Sequence, residues 1–257
     1  MSPRRRRSLR RIVTRHWKQL SLDVLERACS LLLQFLTSYA GQLPPFLVAA
    51  AAQVLARVTR VTWGETTDLR QVPSAVSALL ALSPAHCAAA MTVWGEMVAE
   101  FGSTRPTDAA MRVADLSFAA MRRATLSFGA IPLLAIFHAA VDVLYSVAAG
   151  RPSFAGNGAN GNGNGTRTVS SGDQKKVVRS ALTLIQACLR YDFHFLSPDD
   201  WPDDTASLML LNSKPWREAL EGPALQQALW TLAGGVDQVR LQIARYIRMI
   251  SAYSHHS

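Results

Sequence analysis

Cysteine and charge are both scarce in this chain of 257 residues. Its three cysteines, Cys29, Cys87 and Cys188, are far apart and form no C-x-x-C motif. This spacing argues against a disulfide framework, so we expect a reducing compartment and buried, apolar thiols. Charged residues make up only 18% of the chain and hydrophobic residues 49%, which is enough for a sizeable core.

Motifs for catalysis and metal binding are also missing. The six histidines form no H-E-x-x-H pair and no zinc spacing with cysteine, and no G-x-S-x-G, Walker or dinucleotide-binding sequence occurs. His138 and Asp142, four residues apart, are best explained as a pair that is either satisfied within the fold or exposed on the surface. We therefore predict a protein without enzymatic activity, cofactor or metal.

The positive charge is confined to the amino-terminal arm. Residues 1–18 carry eight basic side chains and no acid, so the formal charge of +9 leaves +1 for the rest of the chain. Such a cluster can be a nuclear-localisation or nucleic-acid patch, a solvated tail, or the product of a misassigned gene start. Because no aromatic residues are interleaved with the arginines and the body is nearly neutral, we do not expect a nucleic-acid partner.

Helical periodicity runs through most of the chain, and no segment alternates with period two. The periodicity and the turn residues predict helices over residues 20–38, 46–63, 73–82, 85–101, 107–126, 131–148, from 173 onward, 216–220, 223–233 and 236–253. Their lengths, and a pair spacing of about 40 residues, predict an all-α fold: an α-solenoid of antiparallel HEAT- or armadillo-like helix pairs. A compact helical bundle is the alternative. A solenoid also predicts an uncovered apolar face on each terminal hairpin.

Four segments follow from this pattern. Residues 1–18 are expected to be a disordered basic arm, 19–149 and 173–257 to be helical repeats, and 150–172 to be a flexible Gly/Asn-rich insert around the sequence GNGANGNGNG.

Residues 128–149 are long enough to span a membrane, but Pro132, His138 and Asp142 interrupt them, so no stable insertion is expected.

Two polar groups are candidates for contact with a partner. On the second predicted helix, Gln53, Arg57 and Arg60 recur about one turn apart and form its polar side. The loop before Pro215 carries Asp199, Asp200, Asp203 and Asp204. It lacks calcium-loop spacing, so it is either a solvated loop or an electrostatic landing site for a basic partner.

Two separated blocks resemble the N-terminal helical repeats of exportin-7-type nuclear export receptors, which belong to the importin-β superfamily. The first, residues 31–65, contains Ala56-Arg57-Val58-Thr59-Arg60 followed by Trp63. The second, residues 182–220, contains Cys188-Leu189-Arg190-Tyr191-Asp192-Phe193, the acidic loop and Pro215-Trp216-Arg217. The resemblance covers roughly residues 20–253. The Arg-rich arm stands where the family has its first helices, and the Asn/Gly insert is particular to this chain.

This resemblance implies an adaptor that shuttles between nucleus and cytoplasm. Receptors of this class bind Ran-GTP and folded protein cargo together, and they cross the nuclear pore through weak contacts with Phe-Gly nucleoporins. It also implies no small-molecule substrate. Gln53, Arg57, Arg60 and the four aspartates become candidate contacts with Ran or cargo. The alternatives are a helical-repeat scaffold that does not bind Ran, and a nucleic-acid- or membrane-associated protein acting through the Arg arm.

Overall fold

The computed structural model describes residues 16, 19–65, 68–102, 118–150, 171–191 and 214–221, together with positions 223, 225, 227, 228 and 231. Within these ranges the regular structure is entirely helical, which confirms the predicted all-α class. The helices are α1 (Leu22–Tyr39), α2 (Pro45–Val61), α3 (Val72–Val76), α4 (Pro84–Gly102), α5 (Phe118–Ala130), α6 (Pro132–Ala148), α7 (Ser171–Leu189) and α8 (Lys214–Glu221).

Local sequence signals account for several helix boundaries. Ser83 caps α4, because its Oγ accepts a hydrogen bond from the backbone N–H of His86 at 3.3 Å. Proline is the first residue of α6. Because a proline disfavours the helical conformation of the residue before it, α5 and α6 are separated at Ile131. Gly150 follows α6 with φ +68°, a left-handed conformation that glycine adopts without steric cost.

The third predicted helix is not continuous, and this part of the prediction was wrong. Instead of one helix over residues 73–82, the chain forms a 3-10 turn at Asp68–Gln71, the five-residue α3, and a second 3-10 turn at Ser77–Leu79. The hydroxyl of Ser77 donates to the carbonyl of Ser74 at 2.6 Å, a local bond of the kind that competes with α-helical hydrogen bonding.

Three long helices, α2, α4 and α7, pack side by side with α4 in the middle. Contacts between α2 and α4 advance in the same direction on both helices, because Gln53 meets Glu96 and Arg57 meets Glu100. These two helices therefore run parallel. The end of α4 also meets the end of α7, where Gly102 lies beside Tyr191, so the carboxyl ends of all three helices lie at the same side of the row.

The remaining helices pack against this row. α1 contacts α2 and α4, α3 contacts α4 and α6, and α6 contacts α7. The start of α4 meets the end of α1, where the His86 ring bonds through Nε2 to the carbonyl of Thr37 at 2.9 Å. One apolar core results, with Trp94, Phe137 and Trp216 among its largest buried side chains.

Candidate partner-binding residues and the pocket beside Arg60

The polar side predicted for α2 is not solvent-exposed. Arg57 and Arg60 are 1% and 2% exposed, and Gln53 is half-buried. The reason is that α4 packs against the side of α2 that carries these residues. Arg57 and Arg60, predicted as candidate contacts with a partner, are therefore almost inaccessible to one. The four acidic residues of the other candidate group, Asp199, Asp200, Asp203 and Asp204, lie outside the described residues.

Two polar contacts join α2 to α4 through this buried side. The amide Nε2 of Gln53 donates to Oε1 of Glu96 at 3.2 Å. One turn further along, Nη1 of Arg57 lies 3.0 Å from Oε1 of Glu100. Because a buried charge is costly unless it is paired, we expect the Arg57–Glu100 ion pair to favour this register between the two helices.

Arg60 continues the series but meets different partners. Its Nη2 donates to the backbone carbonyl of Met121 in α5 at 3.1 Å, and its guanidinium carbon lies 4.9 Å from the ring centroid of Phe101. Burial lowers the pKa of Arg60 to about 10; Tyr191 and Glu100 oppose this shift and Arg57 adds to it. The side chain is therefore still positively charged at neutral pH. Its Nε and Nη1 have no hydrogen-bond acceptor among the residues described.

An aromatic cluster lies next to Arg60, at the carboxyl ends of the helices in the row. The rings of Phe101 and Phe128 stack with centroids 4.1 Å apart, and Trp63 meets both edge-on at 4.9 and 5.8 Å. Tyr191 lies 6.2 Å from Phe128 and donates its hydroxyl proton to the carbonyl of Thr125 at 2.8 Å. The cluster connects α2, α4, α5 and α7. The sequence analysis did not predict that these residues pack together, although aromatic residues recur near the predicted helix ends.

A pocket of about 240 Å³ opens beside this cluster, between the end of α2, the following 3-10 turn and α5. Its lining includes the buried side chains of Arg60 and Trp63 and the exposed side chains of Glu65, Arg70 and Arg123. Nε of Arg70 donates to the carbonyl of Trp63 at 2.7 Å. The pocket is therefore rich in hydrogen-bond donors.

An exposed apolar stripe on α1 is a further candidate surface. Val24, Leu31, Phe35 and Tyr39 are exposed and recur at intervals of seven and four residues, and the rings of Phe35 and Tyr39 lie 5.6 Å apart. Beside it runs the stripe of Leu25, Cys29 and Leu36, which is buried in the core. The apolar face of α1 is thus wider than the part that its neighbours cover.

No nucleophile or metal cluster emerges from the described side chains. Burial raises the pKa of Cys29, with a smaller contribution from Glu26, and of Cys87, each to about 12. It also raises the pKa of Cys188. A thiol that stays protonated is a poor nucleophile. In the described part of the chain, no group of three or more His, Cys, Asp or Glu residues could hold a metal ion.

One helical stretch is long and apolar enough to cross a membrane. It is Ala120–Ala148, whose most apolar 18 residues have a mean hydropathy of 1.8; 33% of those residues are buried in the protein. The buried side of this stretch includes Phe137 and Leu144, which pack in the core. Core helices of soluble proteins meet the same criterion, so the expectation of no stable membrane insertion stays a prediction.

No protein-family model, curated protein or solved structure matches this chain. The resemblance to exportin-7-type receptors therefore depends on the two residue blocks alone.

Proposed function

We propose that this chain is a HEAT-like helical array of the nuclear export receptor type, which binds Ran-GTP and protein cargo and carries no chemistry of its own. In this proposal α2, α4 and α7 are equivalent helices of successive antiparallel pairs, and α1, α3 and α6 are their partners. Parallel neighbours in one row are what stacked helix pairs produce, since each pair repeats the direction of the one before it.

The observation that carries the proposal is the meeting of the two exportin-like blocks in one cluster. Trp63 from the first block and Tyr191 from the second both contact the ring of Phe128. Residues separated by more than a hundred positions thus take part in the same packing unit.

The uncovered stripe on α1 adds independent support. An array in which each helix pair covers the face of the next leaves an apolar face on its terminal pair. The stripe of Val24, Leu31, Phe35 and Tyr39 fits that expectation. It also gives the protein an apolar surface of the kind that protein partners bind.

The proposed mechanism is thermodynamic linkage. Cargo and Ran-GTP each stabilise a curvature of the array that favours the other, so that hydrolysis of GTP releases cargo. Curvature is spread over many small helix–helix interfaces, and no single contact has to break. Weak contacts with Phe-Gly nucleoporins would carry the complex through the pore between nucleus and cytoplasm.

A helical-repeat scaffold that does not bind Ran is the second candidate, and the burial of Arg57 and Arg60 favours it. Two of the three α2 residues expected to contact Ran have almost no exposed surface. Direct contact with a partner would need other residues, and the acidic loop is the remaining candidate.

The test compares binding of the full chain to Ran loaded with a non-hydrolysable GTP analogue and to Ran-GDP, by biolayer interferometry. An export receptor is expected to prefer the GTP form by at least about tenfold, a coupling of about 1.4 kcal/mol. Equal affinity for the two forms, or no binding, favours the scaffold instead.

A pair of charge-matched variants tests the acidic loop. Asp199→Asn with Asp200→Asn is expected to slow association with Ran-GTP and to weaken its salt dependence, because surface charges act mainly on the association rate. Asp23→Asn with Asp142→Asn removes the same charge elsewhere and serves as the control. If both double variants slow association equally, the loop is not the landing site.

A further inference from the structure

The pocket between α2 and α5 has an excess of positive charge. Arg60, Arg70 and Arg123 line it, and Glu65 is the acidic residue among its described lining. Arg70 is held by the carbonyl of Trp63. Arg123 is exposed, and no ion pair or hydrogen bond of its side chain occurs within the described ranges. Three guanidinium groups thus border one pocket with one carboxylate.

The buried part of the lining has donors without acceptors. Arg60 is 2% exposed, and its Nε and Nη1 find no acceptor in the described part of the chain; the same holds for the indole Nε1 of Trp63. The carboxylate of Glu100, which influences Arg60, lies 3.0 Å from Arg57. Among the described residues, Glu100 therefore pairs with Arg57, and no carboxylate lies within ion-pair distance of Arg60.

We propose that this pocket binds an oxyanion, the phosphate or carboxylate group of a ligand. A buried cation without its own counter-ion is costly, and an anion in the adjoining pocket offsets that cost through its charge. The exposed Arg123 and Arg70 supply guanidinium groups at the pocket, and guanidinium matches the geometry of phosphate and carboxylate oxygens. A volume of about 240 Å³ holds such a group with part of the molecule that carries it.

This inference goes beyond the proposed function and does not depend on it. Ran binding concerns macromolecular surfaces of the array, whereas the pocket is a small site between two helices. Either property can be present without the other, and the two experiments have different ligands and readouts.

The experiment is an NMR titration of the full chain, labelled with nitrogen-15 on its tryptophan indoles. The Trp63 signal is assigned with a Trp63→Phe variant. Inorganic phosphate and acetate are added in separate series at constant ionic strength, with chloride as the reference. A saturable shift of the Trp63 indole signal, with the other indole signals unchanged, is the expected result.

Two arginine variants make the result specific. Arg123→Gln removes an exposed guanidinium from the pocket. We expect it to weaken anion binding about fivefold, which is the effect of one screened charge pair. Arg179→Gln removes an exposed arginine of α7 that does not line the pocket, and it should leave the affinity unchanged. Tighter binding of phosphate than acetate identifies a phosphate site, and the reverse identifies a carboxylate site.

Three outcomes overturn the proposal. The first is no saturable shift with either anion, and the second is a uniform shift of all indole signals. The third is equal weakening by Arg123→Gln and Arg179→Gln, because the effect would then reflect the charge of the whole molecule.

Discussion

Arg57 of α2 and Glu100 of α4 form an ion pair of 3.0 Å in which the two side chains are 1% and 7% exposed. The pair joins residues that are 43 positions apart in sequence. It lies between the Gln53–Glu96 contact and Arg60, so it holds together the most polar part of an otherwise apolar helix interface. Because a shift of one helix by a turn would separate the charges, we expect the pair to favour the observed register.

Breaking this pair from one side should destabilise the fold strongly. Glu100→Gln keeps the shape but removes the carboxylate that pairs with the buried Arg57, and we expect a loss of about 3–5 kcal/mol in the free energy of unfolding, measured with urea. The exposed pair of Asp173 and Lys176 provides the control, since Asp173→Asn should cost no more than about 1 kcal/mol. Replacing both partners, Arg57→Met with Glu100→Leu, should restore most of the stability. Equal losses from Glu100→Gln and the double replacement would contradict this account.

Two glycines of α4 should respond to alanine in opposite directions. A Cβ at Gly95 meets nothing within 4 Å, whereas a Cβ at Gly102 lies 3.2 Å from Cδ2 of Tyr191. Gly95→Ala should therefore stabilise the helix by about 0.5–1 kcal/mol. Gly102→Ala should cost about 1–3 kcal/mol, because the hydroxyl of Tyr191 is anchored to the carbonyl of Thr125 and the ring cannot easily move away.

Thermal unfolding of the two alanine variants measures this difference. The cost of Gly102→Ala should shrink when Tyr191→Phe removes the anchoring hydroxyl. If Gly102→Ala proves as stabilising as Gly95→Ala, the close packing of α4 on Tyr191 is wrong.

The aromatic cluster should contribute much of the stability of the row. Phe128 is fully buried, stacks on Phe101 at 4.1 Å and contacts Trp63 and Tyr191. Phe128→Ala should cost about 3–5 kcal/mol, from lost burial and from the cavity that remains. Phe46 is 42% exposed, so Phe46→Ala should lower the free energy of unfolding by clearly less. Chemical denaturation of both variants under the same conditions measures the difference. Similar losses for the two variants would argue against the cluster as a joint between helices.

The three thiols should make the protein less stable at alkaline pH. Burial raises the pKa of Cys29 and Cys87 to about 12 and also raises that of Cys188. The unfolded chain then loses thiol protons above about pH 9 while the folded chain keeps them. The stabilising contribution of each thiol is thus complete below pH 9 and is lost as the pH rises towards 12, by about 1 kcal/mol per thiol between pH 9 and pH 10.

Urea unfolding at a series of pH values measures this loss, and Cys87→Ala should remove about a third of the thiol contribution to the slope. A thiol reagent such as DTNB, applied at pH 8, should label the cysteines only in the unfolded protein. Rapid labelling of all three thiols in the native protein would show that they are not buried.

Helix positions were largely predictable from the sequence, because the spacing of apolar residues and the turn residues are local. The predicted boundaries of α1, α2, α4 and α6 agree with the structure to within one or two residues. α5 is an exception, because it continues to Ala130, four residues beyond its predicted end at 126. The region around α3 is another exception, because a side-chain hydrogen bond and short 3-10 turns replace a single helix there. The spacing of apolar residues does not reveal where such local hydrogen bonds compete with an α-helix.

What the sequence alone determined is therefore the all-α class and the stretches that become helices. Only the tertiary structure decided which helix faces are covered. Arg57 and Arg60 looked like an exposed polar face, yet their partners Glu100 and Met121 lie 43 and 61 positions away. Val24, Leu31 and Phe35 belong to an apolar face, yet they are exposed. Helical periodicity follows from contacts between near neighbours in the chain, whereas burial depends on which distant helix packs against each face.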